Sequence, residues 1–222
     1  MNVLNPDTFS FLTGIQENNN KIWFEANKPR YIDVRKQFID FISELIVNIA
    51  KIEKIPVQDP AKNVFRIYRD VRFSKNKDPY KNNMGGWISR GESPRTASFY
   101  IHLQPGESFI GGGMYDPTPE ELKAIRREIH FQGDALQKIV DSKTFKSEFG
   151  GIFVEDKLKK APQGFQTDHP HIELLKFKHY VVGKPVSEED MLSEKFMDTC
   201  LKTYANSLDF FRFLDNAILN KE

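Results

Sequence analysis

The sequence predicts an α+β fold in which a central antiparallel sheet, a meander, packs against N-terminal and C-terminal helices. Three observations carry this. Apolar residues recur at helical spacing towards both ends of the chain, and short alternating segments fill the middle. The connections between those segments are too short for parallel crossovers. With 222 residues and 39% hydrophobic side chains the chain has enough apolar surface to close one core, so residues 1–222 are expected to form a single domain.

Asn5-Pro6-Asp7 reads as a helix start with a proline and an acid in the first turn. That helix would run to about Glu17 with Phe9, Leu12 and Ile15 buried. Asn18-Asn19-Asn20 ends it, and a short segment holding Ile22, Trp23 and Phe24 follows. Pro29 opens the longest N-terminal helix, where Tyr31, Val34, Phe38, Phe41, Ile42, Leu45, Ile49 and Ile52 keep three- and four-residue steps until Pro56 and Pro60. Strands are expected at residues 65–68, 84–89, 99–104 and 108–115, with Pro105-Gly106 as a turn. Thr118-Pro119-Glu120-Glu121 carries a capping box, and Leu122, Ile125 and Ile129 form the buried stripe of the helix it starts. Shorter helices are expected at residues 134–141 and 143–149, punctuated by Gly133 and Gly150-Gly151. An edge strand at 157–160, a helical turn at 172–176 and a strand at 179–184 complete the middle. Ser193 is placed to cap a C-terminal helix with Phe196, Cys200, Leu201, Leu208, Phe211, Leu214 and Ile218 on its apolar face.

Composition excludes several classes. Lys+Arg number 32 against 31 Asp+Glu, so a broad duplex-binding surface is not expected. The single cysteine, Cys200, rules out an internal disulfide and a cysteine-based zinc cage. MNVLNPDTF has neither a basic n-region nor an apolar h-region, and the most apolar run, residues 38–52, is broken by Asp40, Ser43, Glu44, Asn48 and Lys51. The expectation is a soluble cytoplasmic protein with no membrane contact.

The stretch NVFRIYRDVRFSKNKDPYK, residues 63–81, asks for an explanation beyond folding. Arg66, Arg69, Arg72, Lys75, Lys77 and Lys81 face only Asp70 and Asp78, interleaved with Phe65, Tyr68, Phe73 and Tyr80. So many cations on a short strand and loop repel one another unless an anion sits among them. On a strand, Phe65 and Ile67 would face the core, with Arg66 and Tyr68 opposite. A turn near Arg69 would bring Arg69 and Arg72 towards Arg66. Arginine's planar fork binds carboxylate or phosphate bidentately, Lys77 and Lys81 add point charges, and Asp70 orients one arginine. The alternative is an ion-paired, solvated loop.

Arg66, Arg69-Asp70, Arg72-Phe73, Lys77 and Tyr80 also resemble the R-x-x-R-D-x-R-F-x-x-x-K-x-x-Y signature of a bacterial and fungal family known as domain of unknown function 2461. The resemblance extends over nearly the whole chain, through Asn19, Trp23-Phe24, Pro79-Tyr80-Lys81, Pro105-Gly106, Gly111, Gly113, Ile125-Arg126, Pro162-x-Gly164-Phe165 and Asp168-His169-Pro170. Tyr115 stands where relatives are expected to carry Trp. The resemblance implies a single-domain cytoplasmic protein and brings no activity with it.

Other constellations are weaker. Gly111-Gly112-Gly113 lacks P-loop spacing and reads as a bulge or a close backbone approach. Asp168-His169-Pro170-His171, with His179, lacks helical metal-ligand spacing and reads as a polar turn opening a short helix. No metal or cofactor is expected. His102, on the polar side of its strand with Tyr100 and Gln104, is the one histidine considered as an acid or base. Arg126 borders its helix's apolar stripe and could reach a shared anion or a structural carboxylate. The candidate ligand-binding set is Arg66, Arg69, Asp70, Arg72, Lys77, Tyr80, Lys81 and Arg126. Three readings follow: a pocket for a phosphorylated or carboxylated small molecule, catalytic or not; as second choice, a single-stranded nucleic-acid module; or a non-enzymatic interaction protein. No nucleophile, base or oligomeric state is assigned.

Overall fold

In the computed structural model, which describes residues 4–91, 96–154 and 157–219, a four-stranded antiparallel sheet has the sequential order β1 (Met84–Ser89), β2 (Ser98–Leu103), β3 (Phe109–Met114) and β4 (Tyr180–Pro185). The helices are α1 (Asp7–Glu17), α2 (Lys21–Ala26), α3 (Lys28–Ile49), α4 (Pro60–Asn63), α5 (Pro119–Asp141), α6 (Lys143–Phe149), α7 (Ile172–Leu175), α8 (Glu188–Met191) and α9 (Phe196–Leu219). The α+β meander is therefore as expected. No helix among the described residues is long and apolar enough to cross a membrane. The chain divides into two compact units: Met1–Ile88, Tyr100–Ile110 and Pro185–Lys202 form the first, Ser89–Phe99, Gly111–Lys184 and Thr203–Glu222 the second.

In the first unit, α1 to α3 bury most residues their spacing marks, with Leu12, Ile15, Val34, Phe38, Ile42, Leu45 and Ile49 fully inside; Phe11, which the spacing did not mark, joins them and Tyr31 is half-buried. Helix α3 ends at Ile49 and leaves Ile52 40% exposed, so the apolar period runs one turn past the helix. Phe24, fully buried in α2, stacks on Tyr80 with ring centroids 4.0 Å apart and meets Tyr31 at 5.4 Å and Tyr68 at 5.7 Å. Asn20 caps α2 by accepting from the Trp23 backbone N–H. Ser187 caps α8, a helix the sequence did not announce. Ser193 accepts the Phe196 N–H through its carbonyl, while its hydroxyl donates to the Asp190 carbonyl.

In the second unit, the Thr118–Glu121 capping box forms in full. The run α5 is two helices joined across non-helical backbone at Gln132 (φ −124°, ψ 26°), which places the expected break beside Gly133. Gly133 also serves contact: a Cβ there would lie 2.1 Å from the His171 ring. Residues 157–160 form no strand; Leu158 makes a single backbone bond to Lys176. The glycine run follows the close-approach reading. A Cβ at Gly111, Gly112 or Gly113 would sit 2.0, 2.0 and 2.1 Å from the carbonyl oxygens of Val182, Ser98 and Tyr180. A buried ion pair joins Arg90 to Asp215, whose other oxygen accepts the Ala97 N–H at 2.7 Å.

Lys157 and Lys176 both grip Glu173, at 2.8 and 2.7 Å, and these hydrogen bonds lower its pKa from 4.5 to about 2. A folded-state pKa below the unfolded value stabilises the fold above the unfolded value, and the contribution is lost as pH falls from 4.5 towards 2. The Glu173 carboxylate is exposed, so the effect is under about 1 kcal/mol. The urea stability of Glu173→Gln should therefore trail wild type at neutral pH and converge with it in acid; a gap that stays constant with pH contradicts this.

Candidate functional site

The basic stretch is one arm of an irregular hairpin in the first unit. Isolated antiparallel bridges join Val64 to Gly86 and Tyr68 to Tyr80. Four residues separate the bridged positions on one arm and six on the other, so the pairing slips by two between them. This overturns the alternation expected for residues 65–68, and no regular strand forms there. Val64 and Ile67 are buried, while Phe65, expected in the core, is 47% exposed beside exposed Arg66. Asn19 fixes the far arm: its side-chain amide donates to the Tyr80 carbonyl at 2.9 Å and accepts the Tyr80 N–H at 3.1 Å. Tyr80 is itself buried on Phe24, and burial raises its phenol pKa.

An open cleft of about 400 Å³ lies against this hairpin, lined by Phe65, Arg69, Asp70, Lys81, Asn83 and Tyr100. Arg69 is half-buried; its guanidinium donates to the Asp78 carbonyl at 3.1 Å and to the Ser74 hydroxyl at 3.4 Å, with the Asp78 carboxylate 4.0 Å away. Asp70 is committed elsewhere. Its two oxygens accept from Arg72 Nε at 3.0 Å and the terminal guanidinium nitrogen at 2.7 Å, and this pair lowers the Asp70 pKa. Lys77 donates to the Val71 carbonyl at 3.0 Å and closes the loop. Arg72 and Lys77 thus shape the loop with their donors, and Tyr80 anchors it.

Lys81 and Arg66 have no such commitments. Among the described residues neither forms an ion pair or a side-chain hydrogen bond. The Lys81 ammonium lies 5.3 Å from the Phe65 ring centroid. Burial first and the nearby Arg66 charge second push its pKa below the ordinary lysine value. The wall therefore holds more positive charge than its carboxylates neutralise.

Tyr100 supplies the wall's neutral polar group. Its hydroxyl lies 2.9 Å from His102 Nδ1, and His102 Nε2 lies 2.9 Å from Gln104 Oε1. The Gln104 amide nitrogen donates to Glu107, which turns Oε1 towards the histidine. Oε1 can only accept, so Nε2 carries the ring proton and Nδ1 accepts from Tyr100. Burial lowers the His102 pKa and favours this neutral form. A Cβ on Gly85 would sit 2.4 Å from the Tyr100 hydroxyl, so this glycine makes room for it. Sequence reading marked Tyr100 and His102 as the polar face of a strand but not as part of the arginine site, and it missed Asn83. The available signal was the alternation of Lys81, Asn83 and Gly85 into β1.

Arg126 belongs to the second unit. Its donors go to the carbonyls of Leu175 at 3.0 Å and Phe177 at 3.3 Å, tying α5 to the chain after α7, and burial lowers its pKa. Asp168-His169-Pro170-His171 forms the polar turn before α7. His169 Nδ1 accepts the His171 N–H, its Nε2 lies 2.9 Å from His130 Nδ1, and His171 pairs with Asp134. No group of three or more His, Cys, Asp or Glu among the described residues is arranged to hold a metal.

An antiparallel meander with helices and a cationic cleft defines an α+β protein of a class that fold alone does not assign to a reaction. The family model for conserved hypothetical proteins designated domain of unknown function 2461 matches residues 7–213. The chain belongs to that family. No curated protein and no solved structure matches it.

Proposed function

We propose that the protein binds a phosphorylated or carboxylated small molecule in the cleft beside residues 65–83, with Arg66, Arg69 and Lys81 as the anion's partners and Asn83 and Tyr100 as neutral polar contacts. One observation carries this reading: Arg66 and Lys81 lie close enough for one charge to depress the other's ionisation, while the adjacent carboxylate, Asp70, is held by Arg72. Like charges without a hydrogen-bonded carboxylate, one exposed and one half-buried, favour an anionic guest, and charge-assisted contacts to it are stronger than neutral ones. Arg72 and Lys77 hold the loop, Tyr80 anchors it, and Arg126 supports the second unit.

Arg66→Gln is the cleanest test, because Arg66 is exposed and makes no described ion pair. The variant should melt like wild type, while calorimetric affinity for inorganic phosphate or citrate drops about tenfold, the loss of one charge-assisted contact. Unchanged affinity in the variant, or no wild-type binding to either anion, defeats the proposal. Exposed Phe65, Tyr68 and Phe73 keep a nucleic-acid reading in view. Tight binding to single-stranded oligonucleotides that weakens steeply with salt would decide for that reading.

A further inference from the structure

Building on the anion reading, we infer that Lys81 is a reactive amine and that the cleft accepts an anion that also carries an aldehyde or ketone, which Lys81 captures as an imine. Half-burial in the cleft wall sets Lys81 apart from the lysines spent on ion pairs. Lysines 28, 36, 146, 157, 176 and 184 each hold a carboxylate within 3.2 Å. Lys81 is half-buried, lines the cleft, rests on the Phe65 ring and has no carboxylate or hydrogen-bond partner among the described residues. A lysine desolvated beside another cation is the environment that makes an amine nucleophilic near neutral pH, and its lowered pKa agrees with that placement.

The step balances without an external oxidant or reductant. The neutral Nζ lone pair attacks the carbonyl carbon and the π electrons move to oxygen, giving a carbinolamine. Both amine protons pass to that oxygen, which departs as water while the C=N bond forms. Tyr100 lines the same cleft and its hydroxyl is hydrogen-bonded to His102, so a hydroxyl able to relay protons belongs to the same cleft as the amine. The cations at Arg66 and Arg69 hold the substrate's carboxylate or phosphate. An anion held by these cations gives the capture step its orientation.

Pyridoxal 5′-phosphate, an aldehyde that carries a phosphate, serves as the probe. The full chain is incubated with it at limiting concentration, reduced with borohydride and mapped by peptide mass spectrometry. Lys81 should be labelled before every other lysine, excess inorganic phosphate should suppress that label, and K81R should lose it. In Arg66→Gln the pH profile of labelling should move upward, a shift that a merely structural Lys81 would not show. Label spread evenly over surface lysines, with Lys81 no faster than the rest, overturns the inference even where phosphate binding persists. Fast Lys81 labelling that phosphate neither protects nor competes with keeps the reactive amine and removes the anion site.

Discussion

Asp215→Ala is expected to destabilise the protein by about 3–5 kcal/mol, the range for breaking a buried ion pair from one side. The Arg90 side chain is 5% exposed and the Asp215 side chain 13%. The guanidinium also lies 5.3 Å from the Phe211 ring centroid. Removing the carboxylate takes a counter-charge from a desolvated guanidinium and strips the Ala97 N–H of its acceptor in the same stroke. In a chain of this length the loss corresponds to a fall in Tm of roughly 10 °C. Asp215→Asn keeps an acceptor for Ala97 but not the charge, so it should fall between alanine and wild type. Urea unfolding of the three proteins orders them directly, and an alanine variant within about 1 kcal/mol of wild type would falsify the assignment.

Gly113→Ala should be equally damaging for a different reason. Its φ of 128° lies where side chains are rarely accommodated, and an added Cβ would fall 2.1 Å from the Tyr180 carbonyl oxygen. Backbone cannot move aside as the tip of a lysine can, so β3 must separate from β4 or the residue must change conformation. The expected cost is on the order of 4 kcal/mol, at the upper end for one substitution. Gly106→Ala is the matched control. Gly106 has φ 76°, but nothing lies within 4 Å of its added Cβ, so only backbone strain remains, about 1 kcal/mol. If the two alanines cost the same in urea, the close approach of β3 to β4 is not the reason for the glycine.

Helices with long apolar periods were legible in the sequence because burial and periodicity agree: α1, α3 and α9 start or end within a few residues of their capping and breaking signals. The strands flanking Pro105-Gly106 were legible from alternation and a turn. The arm at residues 64–69 was not. Alternation assumes an unbroken strand, and here the buried positions pass from Val64 to Ile67 by an odd step, which leaves Phe65 outward without a mark in the residue pattern. The break beside Gly133 was legible from the glycine, but its close contact with His171 was not, because a glycine in a helix signals termination as readily as contact. The arginine stretch was recognised from charge density, but charge density cannot say which cations are spoken for. Asp70 is hydrogen-bonded to Arg72 and feels Arg66 only as a nearby charge, which leaves Arg66 and Lys81 without a bonded carboxylate. The contribution of Tyr100 depends on how β2 lies relative to the hairpin, which no local spacing encodes.

The clamp of Asn19 on Tyr80 has a kinetic consequence. It joins positions 61 apart in the chain, so the loop between them must close before either hydrogen bond can form. The helices on one side can nucleate from local contacts alone, whereas the hairpin arm acquires its place only on docking. A chain with α1 to α3 formed but the arm undocked has native-like helix content and no cleft. Recovery of ligand binding during refolding should therefore lag recovery of helicity, and the cleft belongs to the last structure assembled, not to the element that carries its charges.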